Sequence, residues 1–257
     1  MSRSVASQVN GHRLSSLVVV AGLLHGVAAP VCAEDPWEQQ MVKARTLREQ
    51  GRYVEAARLV EQALTDAQRV NGADHVRVAN SLNELASLYR DQTQYAKAEP
   101  LYQRALAIQE KVFGPSHPEV AHTLAELASL YTAQADYAKA ELLYLRALAI
   151  QERSLRPGDP ALATLLDELA ELYRAQHQHE KTASVYEQAL TIREKALGSS
   201  HVDVVRTLER LARVYDAAGR HEKAESTYLR AIALGGASAG RAPSRSGGDA
   251  QRPCAPL

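Results

Sequence analysis

The stretch LASLYRDQTQYAKAE, Leu85–Glu99, returns as LASLYTAQADYAKAE at Leu127–Glu141, forty-two residues later, with eleven of fifteen letters unchanged. An echo of that period constrains the fold more than composition can. Each copy is one supersecondary unit that cannot bury its apolar face alone and completes it against the next. The register holds through five units, 36–77, 78–119, 120–161, 162–203 and 204–234. In the last four, apolar residues recur at i, i+3, i+4 and i+7: Leu82, Leu85, Ala86 and Tyr89, then Leu124, Leu127, Ala128 and Tyr131, then Leu166, Leu169, Ala170 and Tyr173, then Leu208, Leu211, Ala212 and Tyr215. That spacing is one face of a helix. A second stripe follows a short polar turn, marked in the second unit by Ala98, Leu101, Tyr102, Ala105, Ile108 and Val112. The pattern predicts an all-α solenoid of about five antiparallel helix pairs, with small residues such as Ala86 and Ala98 at close contacts and Tyr89 and Tyr102 filling the space between layers.

The links carry helix-end signals. In FGPSHPEVA, Gly114 suits a C-cap, Pro115 blocks continuation, and Pro118 suits a first turn; Asp159 is a good N-cap before Pro160. Pro100, about six residues into its helix, predicts a local kink or a late helix start. The first unit keeps Ala44, Tyr53, Ala56, Ala63 and Leu64 but has polar Gln40 and Lys43 where later units have leucine, as a solvent-facing terminal unit should.

The run LASLYRDQTQYAKAEPLYQRAL resembles the tetratricopeptide repeat, with Leu85, Ala86, Tyr89, Tyr95, Ala98, Tyr102 and Ala105 at that motif's packing positions. The forty-two-residue period and the ALAIQEKVFGPSHPEVA ending look like the kinesin-light-chain variety found in many bacterial repeat proteins. The resemblance covers roughly 36–234 and implies a right-handed superhelix whose first helices line a concave groove for a protein or peptide partner. Carried over position by position, that groove is Asn83, Ser87 and Arg90 in the second unit, then Ala125, Ser129 and Thr132, then Asp167, Glu171 and Arg174, then Glu209, Arg213 and Asp216. It reads as neutral to small in its N-terminal half and as a charge mosaic in its C-terminal half. Of the Asn pair seen in kinesin-light-chain-like repeats only Asn83 is present; Glu84, Glu126, Glu168 and Arg210 hold the second position, which argues against kinesin-type cargo recognition.

Other chemistries find little support. His75, His117, Asp159 and His201 share one link position, but equivalent positions of stacked units lie too far apart to share a metal, so a role at the start of each following helix is the better reading. His179 and His221 stand where other units have tyrosine, which predicts flat rings packed at the turn, and His177 reads as an exposed turn residue. No phosphate loop, nucleophile motif or cofactor motif appears; the expectation is a non-catalytic protein with no cofactor and no metal. Net charge is zero overall, and 25 basic residues face 29 acidic ones between Glu34 and Leu234, so no nucleic-acid footprint is present.

The two ends differ from the body. Arg3, His12 and Arg13 precede the apolar run LSSLVVVAGLLHGVAA and the small-residue site VCA, which reads as a signal peptide over 1–33 cut after Ala33, leaving no transmembrane segment. The expected location is periplasmic or secreted, with a cytoplasmic regulator as the alternative. Cleavage removes Cys32 and leaves Cys254 as the mature chain's one thiol. Residues 235–257, rich in Gly, Ala, Ser, Pro and Arg, read as a disordered tail after the 34–234 solenoid. With no capping helix after Ile232 and Leu234, the last unit can self-associate, so a homo-oligomer or an accessory subunit of an envelope complex is the alternative to a groove-binding scaffold.

Overall fold

The computed structural model describes residues 35–239 apart from Pro157; the signal-peptide reading, Cys254 and the tail beyond Ala239 lie outside them. Ten helices and no strand occur among the described residues: α1 (Pro36–Glu49), α2 (Tyr53–Asn71), α3 (Val76–Asp91), α4 (Tyr95–Phe113), α5 (Pro118–Ala133), α6 (Tyr137–Ser154), α7 (Pro160–Ala175), α8 (His179–Leu197), α9 (Val202–Ala217) and α10 (His221–Ala239). From α2 on, odd and even helices each begin one 42-residue period apart. Each odd helix packs on the even helix after it, and each even helix on the next odd one. The odd helices also touch one another, α3 with α5 and α5 with α7, so they form the inner layer toward which the array curves.

The predicted packing roles hold. Ala86, Ala98, Ala128, Ala140 and Ala170 are fully buried where helices approach closely, and Tyr102 and Tyr186 are fully buried between layers. Burying one such side chain stabilises the fold by about 2 kcal/mol, and most of the core forms a single continuous cluster through four of the units.

One link position starts the inner helices. The Nδ1 atoms of His75, His117 and His201 accept from the backbone N–H groups of Arg77, Glu119 and Asp203 at 3.2, 3.3 and 3.2 Å, and Asp159 accepts from Ala161 at 2.9 Å. The histidines therefore do the work of an aspartate cap, satisfying donors that a helix start leaves open. Before each of them Gly72, Gly114, Gly158 or Gly198 takes φ between 84° and 89°. At Gly72, Gly114 and Gly198, ψ lies between 154° and 165°, a region closed to side chains. The turn inside each pair also needs left-handed backbone, at Gly51, Thr93, Ala135, His177 and Gly219 (φ 74°, 60°, 60°, 57° and 71°).

Pro100 causes no late start: α4 begins at Tyr95, in register with its mates. Pro100 is exposed, and so is Ala96, whose carbonyl loses the N–H it would have bonded and can meet water instead. His221 is exposed rather than packed, its Nδ1 2.9 Å from Asp216 Oδ1; among the described residues no helix follows α10 to lie over it. The helix also continues into Gly235–Ala239, which the sequence assigns to the tail; Gly235 sits close to the side chain of Val205.

Neighbouring units are stapled by a repeated tyrosine. The hydroxyls of Tyr89, Tyr131 and Tyr173 donate to Glu61, Glu99 and Glu141 of the preceding outer helix at 2.9, 2.7 and 2.8 Å, and Tyr215 donates to Glu187. Lys97, Lys139, Lys181 and Lys223 lie over the four rings at 4.9 to 5.5 Å. Where the register puts Ala57 or Ala183 in place of Glu99 or Glu141, the acceptor comes from one turn later, at Glu61 or Glu187. Burial and the carboxylate partner push the Tyr173 and Tyr215 phenols up to about 12.

Candidate functional site

The residues expected to line a groove sit on the inner helices in four rows, but the structure spends them unequally. On α3, the Asn83 amide donates to Thr123 Oγ1 at 2.6 Å, and Thr123 donates to Gln109 Oε1 at 2.6 Å. Ser87 is buried, 2.8 Å from the Tyr102 hydroxyl and 3.2 Å from Glu126. Arg90 donates to Glu126 at 2.7 Å. These three residues hold α3 to α4 and α5, so their polar atoms face the protein as much as the groove.

On α5, Ala125 is buried while Ser129 and Thr132 are half-buried, and Thr132 returns its hydroxyl to the Ala128 carbonyl at 2.9 Å. On α7, Asp167 receives two bonds from Arg193, both 2.9 Å, and one from Arg210 at 3.0 Å. Glu171 accepts from Tyr186 at 2.5 Å and from Arg174 at 2.7 Å. On α9, Glu209, Arg213 and Asp216 are exposed, and Glu209 and Arg213 have no hydrogen-bond or ion-pair partner among the described residues. The free polar capacity therefore lies toward the C-terminal end.

The N-terminal half is more charged than the sequence reading had it. The position after each groove asparagine, alanine or aspartate also reaches the inner face. Glu84 lies 3.7 Å from both Arg45 and Arg48, and Arg48 meets Asp91 at 2.6 Å. Burial works against ionising Glu126, yet Arg90 ahead of His122, Tyr102 and Ser87 outweighs it and holds the carboxyl below its ordinary range. Glu168 goes the other way: burial, with Glu126 and Asp167 adding to it, pushes it up to about 7 despite Arg90. These glutamates and Arg210 were legible as a column in the sequence, but only the charges they meet on adjacent units, as ion pairs at Glu84, Glu126 and Arg210 and as the field of Glu126 and Arg90 at Glu168, mark them as part of the inner face.

A hollow of about 550 Å³ opens between α7, α8 and α9, lined by Glu171, Arg174, His177, Tyr186, Arg210 and Arg213 among others. Its walls carry more cation than anion. His177 and His179 stand edge to face with ring centres 6.3 Å apart, His177 exposed at the turn as expected. Among the described residues no group of three or more His, Cys, Asp or Glu is placed to hold a metal, and no helix is long and apolar enough to cross a membrane.

The first unit closes the inner face with a contact the sequence reading did not single out. Trp37 donates its indole N–H to Ser81 at 2.9 Å, Arg77 lies 5.4 Å over the indole ring, and Arg77 also pairs with Asp35, the N-cap of α1.

Stacked antiparallel helix pairs with a polar inner layer define a helical-repeat protein of the solenoid class. The model of the tetratricopeptide repeat matches residues 41–111, 77–153 and 161–235, and the chain belongs to that family. Its structural neighbours include kinesin-light-chain-like proteins. The nearly identical TPR-like repeats of a Podosopora anserina kinesin-light-chain-type protein match at 29% identity and TM-score 0.70, covering 81% of this chain and all of the other. BtubC (BKLC) from P. vanneervenii matches at 26% identity and TM-score 0.71, covering 86% of this chain and 85% of the other. RapI in its apo form shares the fold at 17% identity and TM-score 0.65, over 80% of this chain and 72% of its own. No curated protein is significantly similar in sequence.

Proposed function

We propose that this protein is a non-catalytic scaffold that captures an extended segment of a protein partner along the inner face of α3, α5, α7 and α9. The observation that carries the reading is the shape and chemistry of that face: a continuous polar column over four units, with a floor of small residues at Ala125, Ser129 and Thr132 and unspent charge at Glu209 and Arg213. A segment lying there would be held through its backbone and through charge complementarity. A Rap protein of this fold has been solved complexed with competence and sporulation factor, so arrays of this shape can hold a second molecule.

A photo-crosslinking residue at Ser129 should capture a protein that the same residue at Leu142, exposed on outer helix α6, does not. Ser129→Trp should block that capture with helicity intact. Equal capture from both positions, or capture that survives Ser129→Trp, defeats the groove reading.

Self-association is the second reading, favoured by α10. Leu229 and Ile232 are 59% and 69% exposed there, beside a hollow of about 400 Å³ lined by Val205, Tyr228, Ile232 and Gly235. Ile232→Lys would then lower the mass in solution. We propose export as well, on the sequence of residues 1–33 alone; a mature N-terminus at Glu34 in envelope or secreted fractions supports it, and an uncut cytoplasmic chain defeats it.

A further inference from the structure

The column Glu84, Glu126, Glu168 and Arg210 occupies one position in four successive inner helices. At the first two, the preceding unit supplies an arginine from another fixed position: Arg48 approaches Glu84 at 3.7 Å, and Arg90 donates to Glu126 at 2.7 Å. That second column continues as Thr132 and Arg174. In the third pairing the arginine is therefore missing and Thr132 stands at its register position. In the fourth the glutamate is missing; Arg174 pairs with Glu171 and Arg210 with Asp167.

Glu168 consequently makes no hydrogen bond or ion pair among the described residues, while Glu84, Glu126 and Arg210 each have an ionic partner. The tyrosine that helps its register mate does not replace the arginine. Tyr102 donates to Glu126 at 3.1 Å, whereas Tyr144, at the equivalent place, turns its hydroxyl to Ser129 and Thr132. The neighbouring acids are already engaged, Glu126 by Arg90 and Asp167 by Arg193 and Arg210. One carboxylate is left over on this face, and the α5 position that would supply its arginine holds Thr132.

We propose that this vacancy is a cation socket: the space over Thr132, between α5 and α7, receives an arginine side chain of the captured segment, whose guanidinium pairs with Glu168. Arg48 and Arg90 indicate the group that fits, since each reaches the next unit's glutamate from that position. A planar guanidinium suits a carboxylate fork better than an ammonium. A single unpaired charge suits a monovalent side chain rather than a divalent ion. The inference rests on the groove reading and adds to it the residue type that the groove selects.

The charged and titratable groups that act on Glu168 are Glu126 on α5, Arg90 on α3, Asp167 on α7 and Tyr144 on α6; His122 adjoins Glu126, and Arg193 on α8 and Arg210 on α9 hold Asp167. A guanidinium in contact with the carboxylate favours its ionised form and so lowers the pH at which Glu168 ionises.

The test follows the Glu168 carboxyl carbon by NMR in the full chain, with capped acetyl-AARAA-amide as probe and acetyl-AAAAA-amide as control, each to about 10 mM, a concentration that reveals even millimolar binding. The arginine peptide should lower the titration midpoint of Glu168 by about one unit, equivalent to tenfold tighter binding to the ionised form, and the alanine peptide should leave it unmoved. Thr132→Arg should lower the midpoint without peptide and remove the peptide response. Glu168→Gln, which keeps shape and loses charge, should also remove binding as read from Ser129 and Thr132 amide shifts. An unmoved midpoint with the arginine peptide, or an undiminished response in Thr132→Arg, overturns the proposal. Partner capture lost in Ser129→Trp but unchanged in Thr132→Arg and Glu168→Gln defeats the socket alone; capture unchanged in all three defeats the groove as well.

Discussion

The junction between the second and third units and the junction between the fourth and fifth use the same three positions with opposite chemistry. At the first, Asn83, Gln109 and Thr123 form a neutral chain with bonds of 2.6 Å. At the second, Asp167, Arg193 and Thr207 occupy those places, with Arg193 donating to Asp167 at 2.9 Å and to Thr207 at 2.7 Å. The junction between them holds Ala125, Gln151 and Leu165, of which Ala125 and Leu165 are buried. A repeat protein gains little order from identical seams, because any unit would then pack on any other. Three chemistries in one slot make the seams chemically distinct, the condition under which buried polar groups set register in some helical assemblies.

The comparison breaks most visibly at the charged seam. Arg193 is 8% exposed, so Arg193→Leu leaves Asp167 short of its main partner in a poorly hydrated place and should cost about 3 kcal/mol in urea unfolding. Gln109→Leu at the neutral seam should cost about 1 kcal/mol, the loss of one uncharged bond. Transplanting the middle seam's set, Asp167→Ala with Arg193→Gln and Thr207→Leu, should recover most of the loss, since removing both charges removes the desolvation cost as well. Equal losses for Arg193→Leu and Gln109→Leu would mean that the charged seam is no more demanding than the neutral one.

Glu168 sharpens the contrast from the inner side. Its folded-state value is raised from the ordinary 4.5 to about 7, so the folded protein holds this proton more tightly than the unfolded chain does. The sign follows: this group leaves stability intact below about pH 4.5, erodes it as pH rises toward 7, and exerts its full penalty above. Glu168→Gln should therefore stabilise the protein at pH 8, by on the order of 1–2 kcal/mol after discounting for solvent screening, and be close to neutral at about pH 3.5, below the ordinary carboxylate value. A variant with the same effect at both pH values would show that packing, not charge, is responsible.

Much of this was legible in the sequence, and the boundary is physical. Apolar periodicity fixed helix faces, and the register fixed the number of units, because both depend on residues that meet at constant spacing. The link histidines also read correctly as helix-start residues, since a cap is a local bond. Contacts across units read less well. Asn83 and Arg90 look like groove residues one unit at a time, yet their partners Thr123 and Glu126 lie about 40 positions away, on the next inner helix. The Tyr–Glu staple was hidden for a similar reason, its acceptor alternating between two turns of the outer helix. Tyr131→Phe, Tyr173→Phe and Tyr215→Phe should each cost about 1 kcal/mol whatever the chemistry of the adjoining seam; a cost that tracks seam type would show that staple and seam are one coupled network.

The smallest effect concerns the turn inside each helix pair, where all five units share one backbone shape and differ only in residue. Gly51 and Gly219 take φ of 74° and 71° freely, whereas Ala135 is held at 60° with nothing polar in its side chain to offset the strain. The conformation is imposed by the helix end itself: the Asp136 N–H donates to the Tyr131 carbonyl at 2.9 Å and the Ala135 N–H to Thr132 at 3.0 Å, the bonding of a Schellman end. Those bonds return only if residue 135 stays left-handed, so relief must come from the side chain. Ala135→Gly should raise stability by about 0.5–1 kcal/mol, less whatever glycine adds to the entropy of the unfolded chain. The reverse change, Gly51→Ala, should lose a similar amount even though no atom lies within 4 Å of the added methyl. If both substitutions left the melting temperature unchanged, strain at this turn would be too small to matter, and the glycine at the two terminal units would have no energetic reason to differ from the alanine at the centre.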